Sequence, residues 1–138
     1  MLSGIDQQLG TLRNVANLRA YRQEVLASNI ANADTPNYKA RDFSFQAALE
    51  NVQAGRAGFA IARTSARHLD AANLSGVGKA PAGVDVAYRS EYQASVDGNT
   101  VNMDVERSAF AENAIQLEAT LTFIRGRFTT LQSAIQGQ

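Results

Sequence analysis

There is no cysteine in the chain, no tryptophan, only two prolines and a single histidine, His68. Without cysteine there are no disulfides, no thiolate zinc ligands and no thiol nucleophile. One histidine with no convergent partners at ligand spacing leaves metal binding and His-based acid–base chemistry without support, so His68 is expected to make structural hydrogen bonds. Charge of either sign is not in excess: 13 basic and 13 acidic residues give a net charge of zero, which offers no electrostatic footprint for nucleic acid or an anionic membrane. No apolar run approaches the roughly 18 residues needed to span a bilayer. The N-terminal stretch lacks a basic segment followed by an apolar one, so no ordinary signal peptide is expected. Large apolar side chains are scarce as well; much of the 45% hydrophobic content is alanine. At 138 residues the chain is expected to form one domain, with an appendage at most.

What the chain does have is spacing. In the last third, apolar residues fall at Phe110, Ala114, Leu117, Leu121, Ile124, Phe128, Leu131 and Ile135, in steps of 4, 3, 4, 3, 4, 3 and 4. Seven steps cover 25 residues, about 3.57 per turn, between a coiled-coil seam and a straight helix. This predicts a long helix with one narrow apolar stripe, which suits a partner helix better than a deep core. Asn102 is placed to cap it, Asp104 and Glu106 put negative charge in its first turn, and Gly137 suits its C-terminus.

A matching stripe opens the chain. Ile5, Leu9, Leu12 and Ala16, then Leu26, Ile30 and Ala33, keep the same stepping, interrupted at Arg19 and Gln23. Tyr21 and Val25 lie off it, so the apolar face is expected to drift. Ser3 with Asp6 resembles a capping box. Pro36 disfavours helix at Thr35, which stops this helix near Asn32 to Asp34. The fold expected is mainly α, the two terminal helices pairing as an antiparallel, coiled-coil-like bundle. Residues 1–35 plus 101–138 form this helical core.

Residues 36–100 form a small irregular middle region. Asn37 suits a positive φ at the turn after Pro36. Phe45, Leu49 and Val52 predict a short helix over about 43–54. Short strands are expected over about 59–64 and 84–96, with Tyr88 and Tyr92 packing, and Asp97-Gly98-Asn99 reads as a turn. Gly76-Val-Gly-Lys79 is no phosphate loop: Asn73 and Ala80 stand where a Walker loop needs Gly and Ser or Thr, and Pro81 stands where a dinucleotide fingerprint needs Gly. Asp104, Glu106, Glu112 and Glu118 read as the solvated or intersubunit polar face of the last helix.

The stretch from Ala27 to Lys39 resembles the N-terminal signature of the flagellar rod and hook proteins, approximately A-x-N-I-A-N-x-x-T-P-G-Y. Asn29, Ile30, Ala31, Asn32, Thr35, Pro36 and Tyr38 match it; Asn37 replaces the usual glycine. The segment from Asp97 to Glu106, the closing helix and Thr64 to Leu69 are also similar to rod proteins. The resemblance implies a non-enzymatic structural subunit of the proximal rod of the flagellar basal body, with no cofactor and no small-molecule substrate. It implies a place in the periplasmic part of a drive shaft that transmits torque from the membrane ring to the hook. Export through the flagellar type III apparatus would then replace a signal peptide. The partners implied are the same chain, other rod subunits, the junction protein FliE and the membrane-ring and export-gate base. Phe45 and Leu49 match a family motif that docks on the export gate, although the residues alone read equally as a packed helix face. Two other classes stay open: a coiled-coil export chaperone or adaptor that remains in the cytoplasm, and, with no acid–base constellation behind it, an enzyme acting on the cell wall.

On this reading the eight-residue stripe is an assembly surface, and Gln116 and Thr120 lie outside it, exposed. Both terminal helices are expected to be poorly ordered in the isolated chain, since a narrow stripe buries little without neighbours. Leu121→Ala in a packed site is expected to cost about 2–5 kcal/mol.

Overall fold

Two long helices dominate the computed structural model, which describes residues 2–55, 81, 83–89 and 96–137. Helix α1 spans Leu2–Ala31, β1 Arg41–Asp42, α2 Phe45–Gln53, β2 Ala87–Tyr88 and α3 Met103–Gln136. At 1.5 Å per residue α1 and α3 are about 45 and 50 Å long. They run antiparallel: Asn29 meets Glu106, Gln23 meets Asn113, and Leu9 and Leu12 share a cleft with Thr130 and Leu131. The mainly helical fold read from the spacing is the fold observed.

Helix ends follow local chemistry. The Asn102 side chain accepts from the N–H groups of Asp104 and Val105 at 3.1 and 3.3 Å, and Gly137 closes α3 at φ 71°. The Ser44 side chain caps α2 by accepting from the Ala47 N–H, and Gly55 follows its end at φ 65°. Helix α1 ends at Ala31, one residue before the stretch expected, as Thr35-Pro36 requires. At its start it already includes Ser3, which is therefore inside the helix and not its cap.

The middle region is less regular than its pattern. Of the strand expected over 84–96, residues 84–89 and 96 are described, and among them Ala87–Tyr88 is strand, paired antiparallel with β1 in the register Arg41 to Tyr88 and Asp42 to Ala87. Tyr88 is 74% exposed, so it is not the packing residue that strand alternation suggested. A two-residue edge pair has a covered face too small to bury an aromatic ring. The strand expected over 59–64, His68, Tyr92 and the Gly76–Lys79 segment lie outside the described residues.

Burial is confined to one end of the helix pair. Leu18, Tyr21, Val25, Phe43 and Ala48 form a core, and Phe45, Leu49, Val52, Val84 and Val86 pack against it. The rings of Tyr21 and Phe43 lie 5.7 Å apart. Val25 and Tyr21, off the α1 stripe, thus face α2 and the short strands, while Asn29 reaches Glu106 on α3; the drift in the sequence lets one helix serve two contacts. Buried residues begin at Leu18 on α1 and end at Thr120 on α3; among the described residues, none of 6–17 and none of 121–137 is buried. Hydrogen exchange on the dilute chain should therefore show protection concentrated in 18–30 and 104–120, with fast exchange in 6–16 and 122–136. Uniform protection along both helices would show that the free end is stable without neighbours.

Candidate assembly site

Among the described residues, the exit of α1 is densely hydrogen-bonded. Asn29 is fully buried. Its Nδ2 donates to the Arg41 carbonyl at 2.7 Å and to Glu106 Oε2 at 3.2 Å. Its Oδ1 accepts from the Tyr38 hydroxyl at 3.2 Å and the Arg41 N–H at 3.1 Å. One amide thus ties α1, β1, the Tyr38 loop and α3 together, using all of its hydrogen-bonding capacity. Asn32 Nδ2 donates back to the Ser28 carbonyl at 2.8 Å, and its Oδ1 accepts from the Thr35 hydroxyl at 3.2 Å, which closes the helix end.

A second asparagine completes this junction from the other side. Asn99 Nδ2 donates to the carbonyls of Asn32, Ala33 and Thr35 at 3.0, 2.7 and 3.0 Å. These carbonyls lie just past the end of α1, and that of Asn32 also accepts from the Thr35 N–H at 3.1 Å. Asn37 takes the positive φ expected of it, 60°, and its N–H donates to the Asp97 carbonyl at 2.9 Å. Gly98 has φ 71°, a conformation that favours glycine, and a Cβ there would lie 2.7 Å from Asn37 Oδ1 and push that side-chain end aside. Of the signature residues, then, Asn29, Asn32, Thr35 and Tyr38 bond within the junction. Ile30 is half-buried, and Ala31 and Pro36 are exposed.

Around Asn29 runs a chain of charges. Arg22 holds Asp42 through two bonds, at 3.2 and 3.0 Å. Arg89 joins Asp42 at 2.7 Å to Glu106 at 2.6 Å. Burial by itself pushes the Asp42 carboxyl up, but bonds from Arg22, the Phe43 N–H and Arg89 outweigh it and hold the group below its ordinary value of 3.8. A depressed carboxyl contributes stability that is complete above the ordinary value and is lost as pH falls through the lower folded value. Glu106 is 0% exposed, which corrects its assignment to a solvated face. An acidic residue in the first turn of a helix also reads as a dipole partner; here Asn29 and Arg89 draw it inward.

The α1–α3 seam is not the apolar stripe. Glu106, Asn113 and Thr120, seven residues apart, are the buried residues of α3. Thr120 is 8% exposed, its hydroxyl bonded to the Gln116 carbonyl at 2.8 Å, and Gln116 is half-buried, so neither is the exposed position expected. The row through 106, 113 and 120 faces α1, and this turns the stripe partly aside. Phe110, Ala114, Leu117, Ile124 and Leu131 stay half-buried, whereas Leu121, Phe128 and Ile135 are 36, 57 and 86% exposed. Ile115 and Phe123, which the stripe does not include, are also exposed. The free end of the hairpin therefore presents apolar side chains and a shallow cleft of about 70 Å³ between Gln8, Leu9, Leu12, Arg127, Thr130 and Leu131. Sequence reasoning missed Glu106, Asn113 and Asn99. The signal available for Asn113 was the pair of interruptions in α1, because Arg19 and Gln23 are what it bonds.

Phe45 and Leu49 sit on the inner face of α2, half-buried against the core. The Arg19 guanidinium lies 3.7 Å from the Phe45 ring centroid, a cation–π contact. Among the described residues no group of three or more His, Cys, Asp or Glu could hold a metal ion, and no helix is long and apolar enough to cross a membrane.

The α1 helix, its exit and the Tyr38 loop are also where a family model matches. Residues 11–39 fit the model described as flagella basal body rod protein. Similar proteins extend the likeness to the whole chain. A protein of Yersinia enterocolitica is 42% identical over 99% of this chain and 98% of its own length. One of Salmonella typhimurium is 43% identical, covering 99% of each. One of Escherichia coli is 42% identical over 99% of this chain and 98% of its own. Each bears the name flagellar basal body rod protein FlgB. With two long paired helices, an apolar free end and identity of this extent over its full length, the chain belongs to the family of flagellar basal body rod proteins FlgB, structural subunits of the rod.

Proposed function

We propose that the chain is a non-enzymatic subunit of the proximal, periplasmic segment of the rod, that it transmits torque between membrane ring and hook, and that the flagellar type III apparatus exports it. Its terminal helices, residues 1–35 plus 101–138, form the rod core, and residues 36–100 are a separate middle region. Copies of itself, other rod subunits, FliE and the ring and export-gate base are its neighbours. The observation that carries this reading is the limit of burial: past Leu18 on α1 and Thr120 on α3, the hairpin has apolar side chains and no core of its own. In this reading Leu121, Phe128 and Ile135 meet neighbouring subunits, and the asparagine junction holds the hairpin in the shape they recognise. Because the chain has no cysteine, Ile135→Cys gives a single reporter. It should react readily with a maleimide in the dissociated chain and slowly in isolated rods. Equal reactivity in the two would remove this face from the assembly surface.

Export rests on a narrower base, Phe45 and Leu49 in a segment outside the long helices. Phe45→Ala with Leu49→Ala should lower the amount of chain reaching the periplasm while synthesis stays normal. Both side chains also pack in the core, so Leu18→Ala, buried outside the motif, is the control for lost stability and should be secreted normally. Normal secretion of the double variant would leave the segment a purely structural role.

A further inference from the structure

One buried polar contact has no part in the asparagine junction. Asn113 is 1% exposed midway along the seam. Its Nδ2 donates to Gln23 Oε1 at 2.6 Å and to the Arg19 carbonyl at 2.9 Å, and its Oδ1 accepts from Arg19 Nη1 at 3.4 Å. Both α1 residues stand where the stripe would otherwise carry apolar side chains. The chain has thus placed a polar residue on each helix at one level, where leucines would pack more simply. A fully satisfied amide contributes little net stability over a well-packed apolar residue, but an orphaned one is costly to bury.

We propose that Asn113, with Gln23 and Arg19, is the specificity determinant of the helix pair: it selects α1 of the same chain as the partner of α3, against α3 of a second copy. The two helices carry stripes of the same 4, 3 spacing, and apolar stripes alone discriminate poorly among partners. Against α1 the Asn113 amide finds Gln23 and the Arg19 carbonyl. Against α3 of a second copy it meets stripe residues such as Phe110, Leu117 or Ile124 and loses its bonds in every register that does not set it opposite Asn113 of that copy. The choice matters because α3 carries exposed Ile115, Phe123, Phe128 and Ile135, so an α3–α3 pair has ample apolar surface to form on. A single buried asparagine that sets pairing in a coiled coil is the closest physical precedent. The proposal stands whether or not the free end of the hairpin is an assembly surface.

The test uses the absence of cysteine. Thr122→Cys, exposed on α3, carries one spin label per chain, and short label–label distances in dilute solution then report α3–α3 pairing between copies. The otherwise unchanged labelled chain should show none. Asn113→Leu with Gln23→Leu should show them, with a thermal midpoint equal to or above that of the unchanged chain. Asn113→Leu alone should lower the midpoint, because Gln23 and Arg19 are left without their partner. Asn113→Gln with Gln23→Asn, which exchanges the two amides, should behave as the unchanged chain does. Absence of short distances in the double-leucine variant overturns the proposal, as does an equal signal from the unchanged chain. A double-leucine variant that fails to fold overturns it too, since the amides would then stabilise the pair and not select it.

Discussion

Glu106→Leu should lower the stability of the isolated chain by about 3–5 kcal/mol, the cost of removing one partner from a buried ion pair. The carboxylate is 0% exposed and divides its oxygens between two partners: Oε1 accepts from Arg89 at 2.6 Å and Oε2 from Asn29 at 3.2 Å. Deleting it leaves the Arg89 guanidinium, with a side chain only 19% exposed, with Asp42 as its remaining ion-pair partner among the described residues. It also strips one bond from the amide that ties α1 to β1 and to the Tyr38 loop. A domain of this kind has about 5–15 kcal/mol in total, so the loss is a large share of it. Glu106→Gln keeps the volume and one acceptor oxygen and should cost less, about 1.5–3 kcal/mol for a weakened charged hydrogen bond. Arg89→Leu combined with Glu106→Leu should cost less than the two changes summed, because the first orphan is removed with the second. Denaturant unfolding measures all three. A Glu106→Leu chain within about 0.5 kcal/mol of the unchanged protein, the range of an ordinary surface substitution, would show that the junction does not anchor the helix pair.

Why this carboxylate was not legible as a buried residue is instructive. Periodicity reports where apolar side chains recur, and α3 has them at 110, 114, 117, 121 and onward. It is silent about polar residues whose partners lie elsewhere in the chain. Glu106 is buried only because Asn29 and Arg89, 77 and 17 residues away, converge on it. Asn113 is buried only because Arg19 and Gln23 lie opposite. The seven-residue steps from 106 to 113 to 120 are a helical repeat as regular as the apolar one, but polar residues at that spacing describe a solvated face equally well. Local chemistry was legible where it is truly local. Asn102 caps α3, Ser44 caps α2, Asn37 takes the positive φ, and α1 stops one residue before the stretch expected from Pro36. Strand β1 has two residues and thus no period to read; it exists because Asn29 holds both the N–H and the carbonyl of Arg41. The apolar stripe of α3 was half legible. The helix and its apolar residues are as expected, while the direction they face was set by the polar row.

The largest effect in the cell should come from the free end of the hairpin. Phe128→Asp with Ile135→Asp should change the stability of the isolated chain little, by less than about 0.5 kcal/mol at each position, since both side chains are already mostly exposed. In a rod whose subunits cover these positions, each would bury an unpaired carboxylate at a cost of several kcal/mol. That cost recurs in every subunit, so assembly should be lost, not merely weakened. Leu121→Asp, at a position only 36% exposed, should impair both the chain and the rod. Phe128→Leu with Ile135→Leu, which keeps the surface apolar, should leave rods intact. The decisive measurement is the yield of rods from cells carrying Phe128→Asp with Ile135→Asp, at levels of the chain matched to the unchanged protein. No rods, from a chain that unfolds at the same denaturant concentration as the unchanged protein, is the predicted outcome. Rods in normal yield would contradict it and would move the assembly surface elsewhere on the molecule.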